Sequence, residues 1–142
     1  MTIDQTQNEI IEEFEFFDEW IEKYEHIISF SKDLEPMADD YKTEDNLVKG
    51  CQSRVWLDAE LIDDKLIFKA DSDAVITRGL VALMVRVLSG HRPAEIAAVD
   101  LFFIEKIGLK EHLSPNRSNG LLSMIKKMKL YALAYQAKLN EE

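Results

Sequence analysis

Lys49-Gly50-Cys51-Gln52-Ser53-Arg54 carries the one cysteine of a 142-residue chain and stands directly before the strand-like run Val55-Trp56-Leu57. A thiol is the strongest nucleophile among the side chains once ionised, and local charge and exposure govern its ionisation. Gly50 permits a positive φ and a tight turn, which would present Cys51 at the tip of a loop. Lys49 and Arg54 flank the thiol and are placed to favour the thiolate. A lone cysteine is often a small buried hydrophobe, but the polar, glycine-led surroundings argue for chemistry here.

The kinds of chemistry open to this thiol are few. A metal or iron–sulfur site needs several thiolates or imidazoles converging, and one Cys with three His (His26, His91, His112) at no ligand spacing does not supply that. There is no C-x-x-C pair for a dithiol redox cycle, and no P-loop, G-x-G-x-x-G or glycine-flanked nucleophile elbow. A Cys-dependent hydrolase or acyltransferase, with His91 or His112 as base, remains an alternative. The simplest chemistry left is transfer, in which Cys51 accepts an atom or group from one protein and hands it to another.

The elements that must position Cys51 are legible from periodicity. Thr6-Gln7-Asn8-Glu9 matches a capping box, and Ile10, Phe14, Phe17, Ile21, Tyr24 and Ile28 recur at helical spacing, which predicts one amphipathic helix over about 7–30. Pro36 breaks the pattern at Asp33-Leu34-Glu35-Pro36-Met37, and Asn46-Leu47-Val48 reads as a short strand. From Ser53 the period changes to two. Val55, Leu57, Ala59 and Leu61 share one face, Asp63-Asp64 signals a turn, and Leu66, Phe68 and Ala70 follow, which predicts a β-hairpin covered by helices on one face.

Asp71-Ser72-Asp73 offers N-cap side chains for a helix over 74–89, apolar on most of its surface and therefore central, with Gly90 as its stop. Pro93 suits the start of a short helix through Val99, and Asp100 is placed to cap another over 101–107. Ser114 to Gly120 reads as a turn-rich linker, opening a last helix striped by Leu121, Ile125, Met128, Ala132 and Tyr135. No repeat or second domain is visible, so one α+β domain over 1–142 is expected.

Net charge is −10, from 27 acidic and 17 basic residues. That sign argues against a nucleic-acid backbone as partner and disfavours an anionic membrane. Lys126, Lys127 and Lys129 make the last helix locally basic against this background. Met1-Thr2-Ile3-Asp4-Gln5 lacks a basic secretory n-region, and the apolar run 79–85 is too short to span a bilayer, so a cytoplasmic protein is expected.

Three segments carry a resemblance to the SufE family of sulfur-acceptor proteins: Val48 to Leu57, Phe68 to Gly79, and Gly108 to Leu121. Tyr24 and Leu34-Glu35-Pro36-Met37 fit its N-terminal part more loosely. The resemblance implies a small antiparallel β-sheet packed by helices on one side, similar to the IscU scaffold proteins. It also implies that Cys51 takes sulfane sulfur from a pyridoxal-phosphate-dependent, SufS-type cysteine desulfurase, stimulates that enzyme, and passes the sulfur to a SufBCD-type iron–sulfur scaffold. The pyridoxal phosphate would belong to the partner, and no cofactor or metal to this chain.

Around Cys51, the resemblance draws attention to Gln52, Ser53, Asp73 and Arg117 as persulfide environment or partner-docking residues. Each has a plainer role to set beside that one: turn-making for Gln52 and Ser53, an N-cap for Asp73, and tying of the linker for Arg117. Trp56 is expected to pack, or to anchor an interface if exposed. A non-catalytic module that only regulates the desulfurase is a further alternative. Because an exposed persulfide would be lost to any passing thiol, the Cys51 loop is expected to be partly shielded in the free protein.

Overall fold

The protein is described here by a computed structural model covering residues 1–141. Helix α1 (Ile3–Glu15) opens on a capping box one turn earlier than the sequence pattern placed it: the Thr2 side chain accepts from the Gln5 N–H, and the Gln5 side chain accepts from the Thr2 N–H. The long N-terminal helix is in fact two, α1 and α2 (Trp20–Ser29). A continuous helix would hold Phe14 and His26 about 18 Å apart at 1.5 Å per residue. Their rings instead meet at 5.1 Å, because the chain reverses over 16–19 and α2 folds back along α1. The reversal lets both Phe14 and Ile27 reach the core, at the cost of leaving Ile21 of the apparent stripe 59% exposed.

Strands β1 (Val55–Ile62) and β2 (Lys65–Ser72) form the antiparallel hairpin, with Val55 opposite Ser72 and Ile62 opposite Lys65. Asp63 and Asp64 both take positive φ, 51° and 65°, as a two-residue turn matched to strand twist requires. Val55, Leu57, Ala59, Leu66, Phe68 and Ala70 face the core. Helix α3 (Val75–Leu88) packs on that face with nine buried residues, and is central as its all-round apolar pattern demands. It is crossed closely by α2 at Gly79, where a Cβ would lie 2.2 Å from the Ile27 carbonyl oxygen.

A two-stranded sheet has two edges to cover. The outer edge of β2 is closed by the turn after α3: Phe68 N–H donates to Ser89 Oγ, Leu66 N–H to the His91 carbonyl, and Gly90 N–H back to the Leu66 carbonyl. The outer edge of β1 is met by 46–48, where Val48 N–H donates to the Val55 carbonyl at 2.7 Å and Leu57 N–H to the Asn46 carbonyl at 2.8 Å. The expected strand at 46–48 is thus a single bridge, Leu47 to Trp56. Further along the same edge, Tyr131 and Tyr135 of the last helix, α7 (Pro115–Asn140), donate their hydroxyls to the Leu57 and Ala59 carbonyls, at 3.3 and 3.1 Å.

Other caps differ from the sequence expectation. Residues 71 and 72 are the end of β2, and α3 begins after Ala74 with no side-chain cap. Buried Asp71 instead holds the 31–42 segment: it pairs with Arg78 at 3.1 Å and Lys42 at 3.7 Å and accepts from the Met37 N–H. Arg78 in turn donates to the Ser31 and Leu34 carbonyls. Helix α4 (Pro93–Ala98) begins at its proline as expected. Asp100 caps nothing: the next helix, α5 (Phe103–Lys106), starts after Phe102, and the Asp100 carbonyl accepts from buried Gln7. After α6 (Leu109–His112), the segment read as a linker is the start of α7, with Ser114 Oγ capping the Arg117 N–H and Pro115 at the first helical position. A polar stretch suited to a turn serves equally as a helix N-terminus, where side-chain oxygens replace missing backbone acceptors.

Candidate functional site

Cys51 sits where the sequence placed it, on the loop feeding β1. Gly50 takes φ 92°, and a Cβ there would press 2.7 Å from Ser123 Oγ, so the glycine serves both the turn and a close approach to α7. The loop is tied at its base. Arg54 N–H donates to Asp73 Oδ1 at 3.1 Å, Ser72 Oγ donates to the Arg54 carbonyl at 2.9 Å, and Lys127 Nζ reaches the carbonyls of Asp45 and Leu47. Burial in that clamp pushes the Lys127 pKa down.

At its tip the loop touches α7 through two longer contacts. Asn116 Nδ2 donates to Gln52 Oε1 at 3.4 Å, and the Cys51 thiol donates to the Gly120 carbonyl at 3.5 Å. The sulfur borders a pocket of about 90 Å³. Its floor is apolar, from Val55, Leu80, Val81, Leu121 and Met124, and its rim is polar, from Gln52, Ser53, Thr77, Asn116 and Arg117. Cys51 is half-buried, which agrees with the expected shielding.

Burial pushes the Cys51 thiol pKa above its usual 9.0. This corrects the expectation from Lys49 and Arg54: both are exposed, and desolvation of the sulfur outweighs them. In the free protein at neutral pH the group is therefore a neutral thiol.

Of the residues singled out from sequence, Gln52, Ser53 and Arg117 share the pocket with Cys51, whereas Asp73 lies outside its lining at the foot of the loop. Asp73 is not the N-cap of α3; its carboxylate caps the Arg54 N–H instead. Arg117 does not tie the segment to backbone carbonyls: among the described residues its guanidinium makes no hydrogen bond or ion pair, and the side chain is exposed. Trp56 is half-buried on the outer face of the hairpin beneath Lys42, whose Nζ lies 5.3 Å from the ring centre. Thr77, Asn116 and Gly120 were not singled out: with 114–120 read as a linker, a glycine at 120 gave no signal, and it stands out only once the structure places it inside α7.

The imidazoles are committed elsewhere. His26 meets Glu13 at 3.2 Å, His91 meets Glu95 at 3.8 Å, and His112 stacks on Trp20 at 4.4 Å while Nδ1 meets the Gly108 carbonyl. Among the described residues no histidine lines the Cys51 pocket, and no three His, Cys, Asp or Glu side chains cluster as metal ligands. The hydrolase alternative thus lacks a base beside its nucleophile.

A helix-covered hairpin that presents one shielded thiol on the loop before its first strand defines a small single-cysteine α+β protein. Comparison with known proteins makes this specific. Residues 8–132 match the SufE family model, described as an Fe-S metabolism associated domain, and the chain belongs to that family. A SufE-like protein of Rhizobium meliloti is 46% identical over 129 residues, covering 86% of this chain and 91% of the relative. A chloroplastic/mitochondrial SufE-like protein 1 of Arabidopsis thaliana is 40% identical over 135 residues, covering 94% of this chain but 36% of its own length. The solution structure of a hypothetical protein from Thermus thermophilus shares the fold, with a TM-score of 0.77 at 17% identity over 93% of this chain and 96% of that one. The α+β architecture, an antiparallel hairpin with helices on one side, is as the sequence implied.

Proposed function

We propose that this protein is a persulfide carrier, serving a SufS-type cysteine desulfurase and a SufBCD-type iron–sulfur scaffold. Family membership supports a role in Fe-S metabolism. The observation that carries the finer reading is the Cys51 pocket itself: one thiol, with no base and no second thiol, beside a small cavity with an apolar floor and a polar rim.

The step is thiol exchange on a persulfide. Cys51 loses its proton to water as docking exposes it, and the thiolate attacks the outer sulfur of the donor persulfide. A sulfur–sulfur bond forms at Cys51 as the donor's breaks, and the electron pair leaves on the donor cysteine as thiolate. No net oxidation or reduction occurs, and this chain needs no cofactor; pyridoxal phosphate belongs to the desulfurase. Gln52, Ser53 and Arg117 form the persulfide environment, with Arg117 the cation available to the anionic sulfur or to the partner. Asp73 acts by fixing the loop's exit.

We read the setting as cytoplasmic, the expectation from the sequence; the Arabidopsis relative is named for organelles. Among the described residues no helix is long and apolar enough to cross a membrane. One continuous buried cluster supports reading the chain as one domain.

The test is sulfide release by a cysteine desulfurase supplied with cysteine and reductant. Wild-type protein stimulates it, and Cys51→Ser does not. Full stimulation by Cys51→Ser would replace the carrier by a purely regulatory module.

A further inference from the structure

We infer that Gly120 is a specificity-determining residue of the sulfur seat, keeping beside Cys51 the space that a second sulfur needs; this rests on the carrier reading above. Gly120 lies in the second turn of α7, inside a 26-residue helix. Glycine is the poorest helix former after proline, and alanine the best. The residue therefore runs against the preference of its own helix.

Neither usual reason for a helical glycine applies. Its φ is not positive, since Gly50, Gly90 and Gly108 are the glycines in that region. Nor is the packing too close for a methyl. The three atoms nearest a Cβ at Gly120 all belong to Cys51, at 3.4 Å from Sγ, 3.7 Å from Cα and 3.8 Å from Cβ, van der Waals contact that is snug at the sulfur but not a clash. Gly79 shows what a packing requirement looks like, with a backbone oxygen 2.2 Å from its Cβ position. The fold with a free thiol would accept alanine at 120.

The fold with a persulfide is different. A sulfur bonded to Sγ projects roughly 2 Å beyond it, and on the α7 side it would overlap a methyl group at 120. The same bare position leaves the Gly120 carbonyl open to the sulfur, where it now accepts the thiol proton at 3.5 Å. Glycine here sets what the seat accommodates: a thiol and one further sulfur atom against the helix backbone.

The experiment follows sulfur uptake by intact mass in wild type, Gly120→Ala and, as a control at an exposed neighbouring position, Asn119→Ala, each with a cysteine desulfurase and cysteine and without reductant. Melting temperature is measured alongside. Gly120→Ala is expected to melt at or above the wild-type temperature and to gain sulfur at least about tenfold more slowly, the scale of a modest steric overlap. Asn119→Ala should match wild type. Uptake by Gly120→Ala at the wild-type rate would overturn the inference. So would a lowered melting temperature, which would show that packing demands the glycine. If wild type itself gains no sulfur, the carrier reading fails, and this inference with it.

Discussion

Gly79 of α3 faces Ile27 of α2 so closely that a Cβ on the glycine would stand 2.2 Å from the Ile27 carbonyl oxygen. Backbone packs on backbone at this crossing, and α3 in turn supplies part of the floor of the Cys51 pocket through Leu80 and Val81. Gly79→Ala must push the helices apart or bend one of them, at a cost of roughly 1–3 kcal/mol, towards the upper end because the obstacle is backbone. Urea unfolding would show a lower midpoint with little change in slope. An unchanged midpoint would mean that the two helices are not packed this way.

The state of the thiol has a pH signature. Burial holds the Cys51 pKa above 9.0, so the folded protein keeps a neutral thiol through the physiological range. Alkylation by iodoacetamide, which requires the thiolate, should be slow at pH 7 and rise with a midpoint above 9.0. In denaturant the midpoint should fall towards the ordinary value. A midpoint below that value in the folded protein would restore Lys49 and Arg54 as activating charges.

Acid should loosen the N-terminal helices. Burial alone would raise the Glu13 pKa, but hydrogen bonds and charge from Arg86 and His26 outweigh it and bring the pKa below its usual 4.5. A carboxylate whose pKa is depressed on folding adds stability above its unfolded pKa, and that stability is lost as pH falls through the folded one. Wild type should therefore lose stability more steeply than Glu13→Gln as pH falls below the ordinary 4.5, when urea midpoints are compared. Parallel curves would remove Glu13 from the account. High salt should shrink the difference, since the Glu9–Arg86–Glu13 cluster is only partly buried.

The hairpin, the central helix and the place of Cys51 were legible because each is written locally. Period-two patterning gave the strands, an apolar surface gave α3, and Gly50 before Cys51 gave a turn. What could not be read locally depended on tertiary contact. The break at 16–19 has no proline or glycine to mark it and follows from α2 folding back to bury Ile27. Asp71 resembled a cap until its partners Arg78 and Lys42 were brought to it from both sides along the chain. Segment 114–120 reads as a loop by composition and becomes helix because Ser114 and Pro115 open α7.

The site divides the same way. Cys51 and its neighbours Gln52 and Ser53 are contiguous, and their pocket role follows from the loop. Asn116, Arg117 and Gly120 join them only because α7 lies across the loop, held by the Lys127, Tyr131 and Tyr135 contacts to residues 45–59. Thr77 joins from the first turn of α3. Residue type could not announce these three-dimensional neighbours.

Carriage of sulfur by Cys51 can be measured directly. The direct measurement is the intact mass of the protein after incubation with a cysteine desulfurase and cysteine, without reductant. The account predicts a gain of one sulfur atom on wild type, reversed by a thiol reductant and absent from Cys51→Ser. No gain with an active desulfurase, or an equal gain on Cys51→Ser, would contradict it.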